Sequence, residues 1–260
     1  MGFTETYNYY YYDQADTRIK GWFLMDSPWP MILITLSYVC FVFQFGPRFM
    51  KNRPAYDLKT FIRFFNIFQI VANAYLVKEI FAVYSDAVAF RCLPIDYSDD
   101  PGAMRMVKMT YFLTLLKVID LIETGMFVLR KKYNQISFLH VYHHITTAFV
   151  AWISTRYIAG GMAVFYPAMN CSVHVIMYTY YLLSTTDSVK ELVIPLKRYV
   201  TIIQMVQFLI LIFHALIAAL PSCPVPKVPA YLMIMDVLLN LNLFYNFYKK
   251  AYMQPKKKLE

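Results

Sequence analysis

The sequence predicts an all-α polytopic membrane protein of seven transmembrane helices. Three observations predict it. Hydrophobic residues make up 59% of the 260 positions and charged residues only 16%, where a soluble domain carries about 25% charged. Apolar runs of about 20 residues recur along the chain, each long enough to cross a ~30 Å hydrocarbon core. Lys and Arg then collect on one side of those runs. Mean hydropathy is +0.42 and aromatics reach 18%, which suits an apolar solvent bounded by two wet interfaces. Disorder is excluded, because it requires low hydrophobicity. A collagen-like or disulfide-dense scaffold is excluded by 7 Gly and 4 Cys.

Residues 1–28 form a polar, Tyr-rich N-terminal tail without the basic start and apolar core of a cleaved signal peptide. The runs that follow are Pro30–Phe45, Phe61–Tyr84, Val107–Leu129, Ile136–Tyr157, Ala163–Leu183, Val200–Leu220 and Pro229–Tyr248. They are helical, because an open sheet edge cannot sit in lipid. Together they define a membrane domain over 29–250, followed by a short tail, 251–260. The loops after the first, third and fifth runs, with the tail, hold 15 Lys and Arg, and the opposite side holds 7. The basic side is cytosolic by the positive-inside rule, which puts the N-terminus in the lumen or exterior and the C-terminus in the cytosol.

Cys92 and Cys223 follow the second and sixth runs, both on the oxidising side. A disulfide between them is expected there, two free thiols being the alternative. Cys40 and Cys171 lie inside runs and behave as small hydrophobes. Lys257 and Lys258 occupy the fourth and third places from the end. That spacing resembles the dilysine address that returns membrane proteins to the endoplasmic reticulum, the alternative being a basic flank. Met1-Gly2 with Thr6 matches a myristoylation pattern, and Asn170-Cys171-Ser172 a glycosylation sequon. The first has the wrong sidedness and the second lies within a span. No repeat and no Gly-rich phosphate loop is present, which argues against a nucleotide-hydrolysing pump or a dinucleotide enzyme. No nucleic-acid partner is expected.

Ionisable groups inside hydrocarbon cost a few kcal/mol and mark function. The third run places Lys117, Asp120 and Thr124 on one helical face, flanked by Glu123. A mere structural ion pair is a poor stabiliser once desolvation is counted, and two acids for one lysine leave a carboxylate seeking a partner. The fourth run supplies it with His140, His143 and His144 on one face, three of the five histidines in the chain. The fifth run carries Asn170, His174, Tyr178 and Tyr181, the sixth Thr201, Gln204, Gln207 and His214, and the second Asn66 and Asn73. Single polar residues of this kind also serve as interhelical glue, and that is the reading for His214. Counted from the cytosolic ends, Asp120 and His174 lie ~15 Å deep, Glu123 ~10 Å and His140 to His144 ~6–12 Å. These depths point to one cluster in the cytosolic half.

Two chemistries fit such a cluster. One is a metal site, as in histidine-box desaturases and hydroxylases, but those need about eight histidines, and three imidazoles on one turn do not easily converge on one ion. The other is nucleophilic and acid–base work by imidazole, which attacks a thioester to give an acyl-imidazole. A seven-span receptor or transporter is a third class. A receptor has no use for a three-histidine face, and no pair of Gly/Pro-broken helices signals a transport site. Metal analysis of the purified protein separates the first from the other two.

Several motifs, in order and spacing, resemble the ELO family of fatty acid elongases over essentially the whole chain. They are Lys117-x-x-Asp120-x-x-Glu123-Thr124, Phe127 to Lys132, Phe138-Leu-His-Val-Tyr-His-His144, Asn170-x-x-x-His174-Val-Ile-Met-Tyr178-x-Tyr-Tyr181 and Thr201-Ile-Ile-Gln-Met-Val-Gln-Phe208. The family pattern reads Lys-x-x-Glu-x-x-Asp-Thr, so the two acids are exchanged here, which shifts reach by a methylene at each place. The resemblance implies seven helices, six of them ringing an acyl-chain tunnel. It implies condensation of a long-chain acyl-CoA with malonyl-CoA to 3-oxoacyl-CoA, CO2 and CoA in the endoplasmic reticulum, with no cofactor beyond the substrates and no metal. His143 is then the acyl-accepting nucleophile, with His174 close to the same centre. His140 and His144 orient or shuttle protons, Asp120 and Glu123 support the imidazoles, and Lys117 belongs to the same set. Asn170, Tyr178 and Gln204 would contact substrate, and Arg130, Lys131 and Lys132 would meet the CoA phosphates, their alternative role being topology alone. Expected partners are the two acyl-CoAs and the bilayer. A homodimer and association with other enzymes of fatty acid elongation are compatible with the resemblance.

Overall fold

A computed structural model describes residues 2–84 and 91–254, and Lys257 and Lys258 of the dilysine motif lie outside the described residues. No strand occurs among the described residues. The helices are α1 (Phe3–Asn8), α2 (Trp29–Cys40), α3 (Gly46–Met50), α4 (Lys59–Val83), α5 (Pro101–Leu129), α6 (Phe138–Tyr157), α7 (Phe165–Ser184), α8 (Lys190–Val193), α9 (Lys197–Ala219) and α10 (Lys227–Tyr248). A π-helical turn at Phe41–Phe45 makes α2 and α3 one continuous segment.

Four segments are long and apolar enough to cross a membrane by length and composition: Trp29–Met50, Lys59–Val83, Lys190–Ala219 and Lys227–Met253. The other long helices, α5, α6 and α7, coincide with the third, fourth and fifth expected runs, at 29, 20 and 20 residues. They carry the candidate site's ionisable and amide side chains, and these lower their hydropathy. α5 starts six residues before the expected run, at Pro101. Proline is favoured in a first helical turn, since the N–H it lacks has no partner there.

The described residues fall into two compact units, within Met1–Asp57, Glu79–Val88 and Leu93–Phe165 for the first, and Leu58–Lys78, Ala89–Cys92 and Tyr166–Glu260 for the second. In the first unit α5 packs against α6 and against α3. Gly46 permits the second approach. A Cβ there would lie 2.6 Å from the Val128 side chain and 2.7 Å from the Phe41 carbonyl oxygen.

The N-terminal segment, expected as a polar tail, is folded onto this unit. Tyr11, Ile19, Leu24 and Met25 join Val107, Ala148 and Trp152 in one buried cluster. The buried Arg156 at the end of α6 holds it there. Its guanidinium stacks 3.6 Å from the Tyr11 ring centroid and donates to the carbonyl oxygens of Met25 and Tyr11. Trp152 Nε1 donates to the Leu24 carbonyl at 2.8 Å. Arg18, paired with Asp16 at 2.6 Å, donates to the carbonyls of Asp96 and Ser98. The sequence counted Arg156 only as a loop charge, because nothing local reveals a cation placed to collect carbonyls more than a hundred residues away.

In the second unit α9 packs against α10, with the Phe208 and Phe244 rings edge to face at 5.0 Å. Cys92 and Cys223 are joined by a disulfide across 131 residues, with Cα atoms 5.3 Å apart. Lys59 pairs with Asp187 at 2.5 Å, which holds the Asp187 carboxyl below its usual range. Arg63 donates to the Thr185 carbonyl at 2.7 Å.

Candidate active site

The two helices of the first unit that carry the candidate histidines and carboxylates, α5 and α6, lie side by side. The hydroxyl of Ser137 caps α6 by accepting from the His140 backbone N–H at 3.2 Å. A serine there satisfies one of the orphan donors of the first turn, and it starts the helix so that the three histidines fall within its first two turns.

Along α5, Lys117, Asp120 and Thr124 are all buried, at 3%, 2% and 0% exposure, as the one-face spacing requires. Lys117 Nζ lies 3.3 Å from Asp120 Oδ2. Glu123, beside that face, reaches α6, with Oε2 3.5 Å from His144 Nε2. Thr124 Oγ1 is 2.9 Å from His140 Nε2, and the Tyr38 hydroxyl is 2.9 Å from the same Oγ1. A chain Tyr38–Thr124–His140 therefore crosses from α2 through α5 to α6. Two of the three imidazoles are thus oriented from α5. The His140 and His144 rings stand 4.3 Å apart, and Phe127 packs on His140 at 5.2 Å.

His143 is half-buried next to the buried His144, their ring centroids 6.0 Å apart. Its carbonyl accepts from the Thr147 hydroxyl at 2.7 Å. Its neighbour His144 lies against a carboxylate, and His143 is the less buried of the two. Among the described residues, no group of three His, Cys, Asp or Glu is arranged to hold a metal ion.

Tyr38 and Ser137 were not singled out in the sequence, and Phe127 entered only as the first residue of a family motif. Ser137 falls inside the expected run Ile136–Tyr157 and stands out as a cap only because α6 starts at Phe138. Tyr38 was not legible, since one hydroxyl in an apolar run carries no pattern.

Arg130, Lys131 and Lys132 form the C-terminal cap of α5. Lys132 N–H donates to the Phe127 carbonyl at 2.8 Å and Lys131 N–H to the Val128 carbonyl at 3.0 Å. This closure needs a left-handed residue, normally glycine. Here it is Lys131, with φ +54°, at a cost of about 1–2 kcal/mol.

The second unit holds its own polar group. His174 is buried on α7 at 7% exposure and Tyr178 at 1%, their rings edge to face at 5.6 Å. Phe65 of α4 meets Tyr178 at 6.2 Å. Gln204 of α9 donates to Met177 Sδ at 3.2 Å. His214, set apart in the sequence, is buried further along α9, 6.1 Å from the Tyr166 ring.

These features define an α-helical membrane protein with a histidine–carboxylate cluster on two adjacent helices. Residues 23–260 match the family described as ELO: GNS1/SUR4 family. The chain is 37% identical over 243 residues to very long chain fatty acid elongase 4 of Mus musculus, covering 93% of this chain and 78% of that protein. It is 36% identical over 246 residues to very long chain fatty acid elongase 1 of Mus musculus, covering 94% and 88%. It is 35% identical over 250 residues to very long chain fatty acid elongase 7 of Rattus norvegicus, covering 93% and 89%. The chain belongs to the ELO family, the one its motifs resemble.

Proposed function

We propose that the chain is a 3-oxoacyl-CoA synthase that extends long-chain acyl-CoA with malonyl-CoA. The observation that supports this best is the half-buried His143 beside a His144 held by Glu123. His143 attacks the acyl thioester carbon. A C–N bond forms, the C–S bond breaks, and CoA leaves as the thiol. Malonyl-CoA then loses CO2, and the electron pair of the broken C–C bond attacks the acyl carbonyl carbon. The C–N bond breaks and the imidazole returns. His140 and His144, oriented by Thr124 and Glu123, relay the protons. The buried Lys117–Asp120 pair supplies a fixed field in which water exerts little screening. His174, Asn170, Tyr178 and Gln204 enter through the family resemblance, as a second imidazole and substrate contacts. No cofactor or metal takes part. The reading is tested by incubating membranes with acyl-CoA and labelled malonyl-CoA. A labelled 3-oxoacyl product supports it, and labelled malonyl-CoA left unincorporated across a panel of chain lengths rejects it.

The reading carries an architecture of seven spans, N-terminus lumenal, with an acyl tunnel ringed by six helices, in the endoplasmic reticulum membrane. Homodimers and complexes with other elongation enzymes are compatible with it. Lys257→Ala with Lys258→Ala is expected to let the protein reach later compartments while activity in isolated membranes is kept. Retention of the double variant in the endoplasmic reticulum contradicts the dilysine role.

Arg130, Lys131 and Lys132 meet the CoA phosphates in this reading, which gives the strained Lys131 a purpose. Lys131→Gly relieves the left-handed backbone and should raise thermal stability by about 1 kcal/mol. It should also raise KM for the CoA substrates several-fold while kcat changes less. A stabilised variant with unchanged KM removes Lys131 from the phosphate site.

A further inference from the structure

α4 has two distinct faces. Phe61, Phe64, Phe68, Val71 and Tyr75 are 46–68% exposed, as a lipid-facing stripe requires. The opposite stripe, Phe65, Asn66, Gln69, Asn73, Leu76 and Ile80, is buried throughout. Three carboxamides within that stripe of a membrane-spanning candidate are costly. Hydrocarbon satisfies none of their donors or acceptors.

Asn73 is the most informative. It is fully buried, at 0% exposure. Its Nδ2 donates to the Gln69 carbonyl at 2.8 Å and to Gln69 Oε1 at 3.2 Å. A backbone carbonyl can only accept, so the nitrogen end of the amide is fixed and the other end is an acceptor. That acceptor, Asn73 Oδ1, is buried and has no hydrogen-bond partner among the described residues, and the same holds for Asn170 Oδ1 of α7.

Both belong to the second unit. The contacts Lys59–Asp187, Arg63–Thr185 and Phe65–Tyr178 show that α4 and α7 run antiparallel there. Asn73 lies eight residues beyond Phe65 and Asn170 eight before Tyr178, so both stand ~12 Å past that ring pair, at one level. This level lies ~6 Å beyond His174.

We propose that this level is a polar subsite for the acyl chain, at which Asn73 accepts a hydrogen bond from a hydroxyl group carried part-way along that chain. The inference rests on the elongase reading. An alkyl or alkenyl carbon offers no donor, and an O–H does. A chain hydroxyl would satisfy an acceptor whose desolvation is already complete, and a site that hydrogen-bonds a hydroxyl discriminates against the chain that lacks it.

The test is competition between an unsubstituted acyl-CoA and a series of monohydroxylated acyl-CoAs with the hydroxyl moved stepwise along the chain. For the wild type, one hydroxyl position some way from the thioester should be preferred by roughly tenfold in kcat/KM. Asn73→Leu should lose that preference and extend the unsubstituted chain within about threefold of wild type. A role as helix glue alone would lower both rates together and leave the ratio unchanged. If Asn73→Leu does not accumulate as folded protein, Asn73→Ala is read by the same ratio. A wild type that extends the unsubstituted chain and prefers no hydroxylated one overturns the subsite, and the acceptor then holds water at most. A wild type that extends neither chain overturns the elongase reading instead.

Discussion

Replacing His143 with alanine should abolish condensation, lowering turnover by about three orders of magnitude or more. The expected loss is large because, in the proposed mechanism, this substitution removes the nucleophile and not merely one of its supports. His140 and His144 each have Nε2 engaged, with Thr124 and Glu123 respectively, so each is oriented as a support for its neighbour. The His143 backbone carbonyl, which accepts from Thr147, is unchanged by the substitution, so the α6 turn should survive. Protein level and melting temperature should therefore stay near wild type while the malonyl-CoA-dependent product disappears. His214→Ala, at a histidine against Tyr166, should keep most of the activity. If His143→Ala retains a tenth or more of wild-type turnover, His143 is not the acyl acceptor.

Replacing Arg156 with alanine should release the N-terminal segment. The guanidinium satisfies two carbonyls, Met25 and Tyr11, and stacks on the Tyr11 ring. Each buried carbonyl left without a donor costs about 1–3 kcal/mol, and a desolvated cation–π contact adds about 2 kcal/mol. Together these are a large part of the stability of a local packing unit. Limited trypsin digestion reads the effect, with Lys20 exposed and Arg18 held in its pair with Asp16. Cleavage at these two residues should accelerate by about a hundredfold in Arg156→Ala. Arg156→Lys should fall between, since an ammonium cannot reproduce the planar fork. Equal cleavage rates in all three proteins contradict the clamp.

The α5–α6 part of the site was legible because helical spacing is a local code. Lys117, Asp120 and Thr124 fall on one face at any packing, and so do the three histidines. The basic tripeptide at 130–132 was legible as charge. Its backbone was not, because a lysine in a left-handed cap gives no sign in a residue list. The long helices were legible through hydropathy. Those that carry the candidate site residues, α5 to α7, were legible because their flanks are apolar enough to offset the polar side chains. The folded N-terminal segment was missed for the opposite reason. Its polar and aromatic residues spell a tail until Arg156 and Trp152, far along the chain, supply its partners. The pairings Glu123–His144 and Tyr38–Thr124 depend on which helices are neighbours, and spacing within one helix does not contain that. The acceptor end of Asn73 was equally hidden, since it is set by a hydrogen bond to Gln69.

The central claim is that the His143 cluster works by covalent acyl transfer. The most direct measurement is incubation of the purified protein with acyl-CoA alone. The account predicts release of CoA without malonyl-CoA, a labelled protein whose acyl group is removed by hydroxylamine, and loss of both in His143→Ala. Absence of label and of CoA release, with activity abolished by chelators and restored by stoichiometric zinc or iron, would contradict it and assign the cluster to metal chemistry.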